Sequence, residues 1–384
     1  MNTFNRALIG LILTVMGSFW FGNAYAIPAF AAKYEKKCSY CHSAWPQLNK
    51  KGRYFKERGY RLKEDLKDTS SKTPYFEQGT FPISGMLISR PYDKKDSGET
   101  KVRAVHEVEL LIAGAIDKHF SGYIEIEAED ETGFEPEIGP LALSYRFSDY
   151  VNLQAVWGAA FWSDGYGLLA DHFRLTRGHV GVIDQSFGGA DNDGTLRSNR
   201  QSLNVTGRAN ALFYSVGLAN GVAEDGEGEE PTFGGQAKVA YDINDMVTVG
   251  VFALTGEQPA TTREYTRSGF DFQGEFSNSR IQAAYVAAAD DNATNTGEEK
   301  NNALSVQWFH TFKTKDGSPT FVPVVRIDSY EKNDGKDDYQ DMTLNLTYYM
   351  KENVKGYLEY WDQVDAPDGT DKDSRITLQF YVAF

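Results

Sequence analysis

The sequence predicts an all-β transmembrane barrel of about 16 antiparallel strands over residues 81–384, behind a small α-helical N-terminal domain. Three observations predict it. From Pro82 to Phe384 apolar and polar residues alternate at period two. "FSGYIEIEAE" sets Phe120, Ile124 and Ile126 on one face and Ser121, Tyr123, Glu125, Glu127 and Glu129 on the other. A strand with one apolar face reads this way. The connections alternate short and long: "DK", "SDY", "IND", "SN" and "KEN" against "DETGFEPE", "AEDGEGEEPT", "DDNATNTGEEKN", "EKNDGKDD" and "DQVDAPDGTDKD". Short turns at one end and long polar loops at the other is the arrangement of a membrane barrel. The last ten residues, "RITLQFYVAF", form an amphipathic strand ending on Phe384. A secreted, soluble all-β domain is the alternative, but it has no reason to sort its loops by parity.

Sixteen segments carry the pattern: roughly 82–91, 102–116, 119–128, 138–147, 151–161, 200–208, 210–220, 233–241, 246–256, 269–276, 279–289, 302–313, 319–329, 339–349, 353–362 and 374–384. Nine to eleven residues is the length of a tilted strand crossing a bilayer. Alternation turns Glu107, Glu109, Glu125, Glu127, Asp271, Glu275, Lys355, Glu359 and Arg375 into the lumen. Both signs are present, with acidic clusters on the second and third strands. A wet, mixed pore and a cation-attracting path are both consistent with this lining.

Residues 162–199 form the longest connection, and part of it, "GYGLLADHFRLTRGHVGVIDQSFGG", is apolar. Connections of this length are functional or disordered, and apolar content argues against disorder. Two readings stand: a segment folded into the barrel that presents Asp171, His172, Arg174, Arg177, His179 and Asp184, or a solvated outer flap.

Residues 1–26 read as a secretory signal peptide. Arg6 precedes the apolar run "ALIGLILTVMGSFWF", and "AYA" ends at Ala26. A membrane anchor is the alternative, and the run is short for one. No later segment has the 18 or more apolar residues of a spanning helix.

Residues 27–80 carry 12 Lys+Arg and 6 Asp+Glu, about +6, whereas residues 81–384 carry 26 and 48, about −22. The shift marks a domain boundary. The acidic balance argues against nucleic acid as a partner of the large domain.

The front piece holds both cysteines of the chain, in "CSYCH" at Cys38, Cys41 and His42. Cys-X-X-Cys-His is the attachment signature of one covalent c-type haem. Two thiols add to two vinyl groups, and the adjacent imidazole reaches the iron as axial ligand. A disulfide across two residues would be strained, a thioredoxin-like pair needs a βαβ context, and a zinc site needs further ligands. "AFAAKYEKK" reads as a short helix before the motif. "QLNKKGRYFKERGYRL" reads as one after it, with Leu48, Phe55 and Tyr54 or Leu62 on one side. A piece this small gains core from a porphyrin.

The sixth ligand is open. Ser43 to Gly85 contains no Met and no second His. The iron is then five-coordinate, or bound by Lys or Tyr, or ligated from the large domain. Met86 is the nearest candidate, followed by His106, His172, His179 and His310.

"IPAFAAKYEKKCSYCHSAWPQLNKKGRYFKERGYRL" followed by sixteen strands resembles the fused monohaem cytochrome–porins, which include the outer-membrane cytochromes of iron-oxidising bacteria. The likeness is specific over residues 27–62, through Cys-X-X-Cys-His, Trp45-Pro46 with Leu48, and the Gly-Arg-Tyr-Phe and Gly-Tyr pattern. Over the barrel it is architectural. The resemblance implies electron uptake from extracellular Fe(II), through one haem held by Cys38, Cys41 and His42, to a periplasmic carrier. Two other functions fit the same residues: a solute or ion porin with a periplasmic haem domain, and the same conduit exporting electrons.

Overall fold

A computed structural model describes residues 29–66, 83–165, 168–169, 174–188, 194–220, 232–258, 262–292 and 294–384. The signal-peptide reading, the segment across the expected domain boundary, and Asp171 and His172 lie outside the described residues. From Ile83–Lys95 to Ser374–Ala383, sixteen antiparallel strands form one closed barrel. Each predicted segment corresponds to one of them. The first and last strands pair with Leu87 opposite Val382, and Gly85 and Phe384 exchange backbone hydrogen bonds of 2.7 and 2.9 Å. Closure leaves no strand edge unpaired, as a hydrocarbon solvent demands.

The alternation sorts the side chains as expected. Val108, Leu110, Val251, Phe270, Ile327 and Leu358 point outward and are exposed, the surface that faces lipid. Arg267, Arg280, Gln282, Asp328 and Glu359 point inward and are buried. Among the described residues no helix is long and apolar enough to span a membrane, so the strands do the crossing. Several strands run past the predicted ends, as Glu264–Phe276 does against 269–276. Beyond the apolar band the ladder continues without an apolar face, and periodicity no longer marks it.

Three connections depart from the parity rule. Residues 96–99 and 333–336 are four-residue links at the long-loop end, and residues 311–320 are a ten-residue link at the short-turn end. The last has a reason. Its Asp316 pairs with Lys37, and Ser318 shares the carboxylate of Glu352 with Ser39, so this turn grips the front piece.

The lumen is filled from both ends. Residues 29–66 occupy the short-turn mouth as helix α1 (Ala29–Tyr34), a turn through Cys38–Tyr40, a small antiparallel pair (His42–Ala44 with Gln47–Leu48) and helix α2 (Lys50–Glu57). Helix α2 starts late because Asn49 caps it, its side chain accepting from Lys51 N and Gly52 N at 2.9 and 3.1 Å. It stops before Gly59, whose φ of +63° no helix continues. Leu48, expected on the helix, lies in the small sheet instead.

Arg53 is buried and donates to Asp242 at 2.5 and 2.6 Å, while Arg208 joins Asp242 to Glu57. Gln47 meets Gln282 and Arg280 of the wall. Ala44 and Trp45 pack with Phe309, Val322, Val324 and Tyr349, and Leu175 reaches the same cluster from the long connection.

That long connection folds into the barrel, which settles its two readings in favour of the first. Helix α3 (Gly181–Asp184) and its flanks bury Leu168, Val180, Val182, Ile183 and Phe187 against Phe252, Leu254, Ala284, Val286 and Ala303. Gly181 N and Val182 N donate to Asp328 and Ser305 of the wall, at 3.0 and 3.2 Å.

Candidate functional site

Helix α2 and the Cys38–Tyr40 turn fix the geometry of the Cys-X-X-Cys-His segment. Asn49 N donates to the carbonyl of Cys41 at 2.9 Å, and Asn49 Nδ2 to Tyr40 O at 3.1 Å. Gly52 crosses so close that a Cβ there would stand 2.2 Å from the Cys41 carbonyl oxygen. Only glycine allows that approach. Neither cysteine is in a disulfide, and burial pushes both thiols up to about 11.

His42 Nδ1 lies 2.9 Å from the carbonyl of Pro46, so the ring donates there and Nε2 keeps its lone pair. Metal-binding histidines are oriented in this way. Burial lowers the imidazole to about 4, which holds it neutral at physiological pH.

Cys38, Cys41 and His42 open onto a cavity of about 1040 Å³. It is at the upper end of the range for drug-sized ligands and cofactors. Its walls near the motif are apolar: Phe30, Trp45, Leu48, Phe55, Tyr60 and Met86. The residues present therefore fit a porphyrin, with two thiols, one oriented imidazole and an apolar enclosure. Higher up, the same cavity is lined by Glu107, Glu109, Glu125, Glu127, Glu129 and Glu131 on one side and by Arg90, Arg174, Arg177, Arg197 and Arg375 elsewhere.

The candidate sixth ligands separate. Met86 and His106 line this cavity. His179, in the long connection, sits 3.3 Å from Asp341 and packs on Tyr330. His310 is a correction. It stacks between the outward-facing Trp308 and Phe312, away from the lumen, because its neighbour Phe309 takes the inward position.

The predicted lumen charges separate too. Asp271 holds the buried Lys238 at 2.9 Å and Glu275 holds Arg280 at 2.9 Å. Glu359 accepts from the backbone of Arg177 and Gly178 and from Asn345. Lys355 donates to Trp45 O at 3.1 Å and lies over the Trp45 ring. Of the loop residues, Arg174 pairs with Asp184, and Arg177 with Asp93 at 3.2 Å. These groups hold the fold. The carboxylates on strands Thr100–Ala115 and Phe120–Glu129 are the ones that face the open cavity.

Sequence reasoning missed Arg53, Gln47 and Asp242. Arg53 was not singled out in its helix, and its partner Asp242 lies 189 residues away. The basic excess of the front piece was the one available signal.

Fold and lining together define a porin-like barrel whose lumen is occupied. No protein-family profile and no curated protein matches the chain. Among solved structures it is similar to an anion-selective porin from Comamonas acidovorans, at TM-score 0.58 and 12% identity, over 79% of this chain and 98% of that one. It is similar to OmpF of Salmonella typhi in complex with daunomycin, at TM-score 0.58 and 13% identity, over 81% and 100%. A loop-deletion variant of OmpT, an outer membrane protein of Vibrio cholerae, aligns at TM-score 0.57 and 14% identity, over 79% and 99%. At such identities the likeness is one of fold.

Proposed function

We propose that the chain is an outer-membrane electron conduit. It passes electrons from an extracellular donor, Fe(II), through one c-type haem on Cys38, Cys41 and His42 to a periplasmic carrier. The observation that carries this reading is the single cavity joining the Cys-X-X-Cys-His residues to the carboxylates of the outer wall. The short-turn mouth of such barrels faces the periplasm, so the motif is within reach of a carrier from below.

When bound, the haem supplies one-electron redox chemistry whose potential follows axial ligation, burial and nearby charge. The chain supplies the rest. Pro46 O fixes the His42 ring, which lines the cavity. Phe30, Phe55 and Tyr60 exclude water. The acidic wall raises the local concentration of cations.

A second reading, an ion porin carrying a periplasmic redox domain, draws support from the porins among the similar structures. It is weakened by a lumen that residues 29–66 and 174–188 both enter.

Haem-loaded protein in sealed liposomes, long loops outward, separates the two. The haem is oxidised, Fe(II) is added outside without oxygen, and the haem absorption bands are followed. Prompt reduction with no iron inside the vesicles is expected. Haem that a membrane-permeant reductant reduces but external Fe(II) does not would overturn iron uptake. Free passage of small ions would support the porin reading.

A further inference from the structure

At the outer end of the cavity, strands Thr100–Ala115 and Phe120–Glu129 set carboxylates against each other. Glu107 stands directly opposite Glu129, and Glu109 directly opposite Glu127. Like charges in facing positions of a ladder destabilise it. Here two such pairs occur in succession, whereas Asp242, Asp271 and Glu275 elsewhere in the wall each meet a cation.

Beside them is a histidine. His106 has a side chain only 4% exposed, and its Nδ1 lies 2.8 Å from Asp130. Arg103 Nη1 stands 3.1 Å from the same nitrogen, and Nε2 lies 3.8 Å from Glu107. A ring nitrogen of His106 and one oxygen from each of Glu129 and Glu131 lie within 4.8 Å of one another. Arg103 is the cation already in contact, reaching Asp130, Glu131 and His106, and Arg90 stands nearby. Four carboxylates, Glu107, Glu129, Asp130 and Glu131, outweigh those two guanidinium groups.

We propose that His106, Glu129 and Glu131 form a divalent-cation site at the outer mouth. One imidazole nitrogen with two carboxylates suits Mn(II), Fe(II), Co(II) or Zn(II), and suits Ca(II) or Mg(II) poorly. A dication between Glu107 and Glu129 turns their repulsion into attraction. From the site, carboxylates at every second residue, about 7 Å apart along the strand, continue down the cavity toward the Cys-X-X-Cys-His segment. The site deepens the conduit reading, as the place where a metal donor enters, and rests on that reading only for this role.

The test uses the full chain in detergent, stripped of metal and titrated with Co(II), followed by calorimetry and by visible absorption, which reports nitrogen and oxygen ligation. One Co(II) per chain is expected. His106→Gln and the near-isosteric Glu129→Gln should each weaken it at least about tenfold. His179→Gln, in the long connection beside Asp341, should leave it unchanged. Wild-type protein that takes up no stoichiometric Co(II), or binding unchanged in both site variants, would overturn the proposal. Co(II) uptake requires no electron transfer, so binding without haem reduction by external Fe(II) would keep the site and sink the conduit. If both hold, the Fe(II) concentration for half-maximal reduction should rise about tenfold in His106→Gln. An unchanged value would remove the site from the path.

Discussion

Two segments fill the same lumen from opposite ends and are held by different forces. The front piece docks through charge: Arg53 on Asp242, Arg208 on Glu57, Lys37 on Asp316. The long connection docks through apolar contact, with Val182, Ile183 and Phe187 almost wholly buried against the wall. The wall follows suit. It presents Asp242, Gln282 and Arg280 to one guest, and Phe252, Ala284 and Val286 to the other. An inward position in this barrel is therefore polar or apolar according to what covers it.

The largest test of that contrast is Val182→Asp. An unpaired carboxylate in the apolar cluster costs about 4 kcal/mol or more. The connection should leave the lumen, and protease added on the long-loop side should cut between residues 162 and 199 while the barrel stays folded. Uncut protein would mean that the wall does not depend on this packing.

Arg53→Ala should come next, at about 3–5 kcal/mol, because it breaks a buried pair. Alkylation of Cys38 and Cys41 in haem-free protein should accelerate as the front piece loosens. An unchanged rate would show that docking rests on the apolar contacts of Ala44 and Trp45 alone.

Asn49→Ala removes the cap of α2 and should cost about 1 kcal/mol. The same alkylation rate should then rise about fivefold, and no rise would mean the helix needs no cap once docked. Lys37→Ala, on an exposed pair, should leave that rate unaltered at physiological salt. Raising salt should leave the front piece seated, because Arg53, Asp242, Arg208 and Glu57 are buried and screened little. Release by salt would show that exposed pairs hold it.

The barrel was legible because lipid on one side and lumen on the other impose period two on every strand. All sixteen strands follow from it, as does the inward set from Glu107 to Arg375. The front helices were legible in part: α1 and α2 exist, but Asn49 and Gly59 cut the second to eight residues. What spacing could not carry was pairing across the fold. Asp271 and Glu359 read like Glu127, as inward acids. Only the structure shows the first holding Lys238, the second capping backbone, and the third facing open cavity. His310 read as a possible ligand because a histidine is a common iron ligand whichever face it takes; the unbroken ladder sets it on the outward side with Trp308.

The front piece is continuous with the barrel. Sixteen residues separate Leu66 from Ile83, and Ala29 N, at the start of the piece, donates to Ser84 Oγ at the start of the first strand. Docking is thus intramolecular, at an effective concentration on the order of millimolar for a short tether. An affinity of about 1 mM between separate pieces, roughly 4 kcal/mol, would already keep the tethered piece seated about half the time. The charged interface therefore need only be modest, and the two pieces made as separate chains should part on dilution.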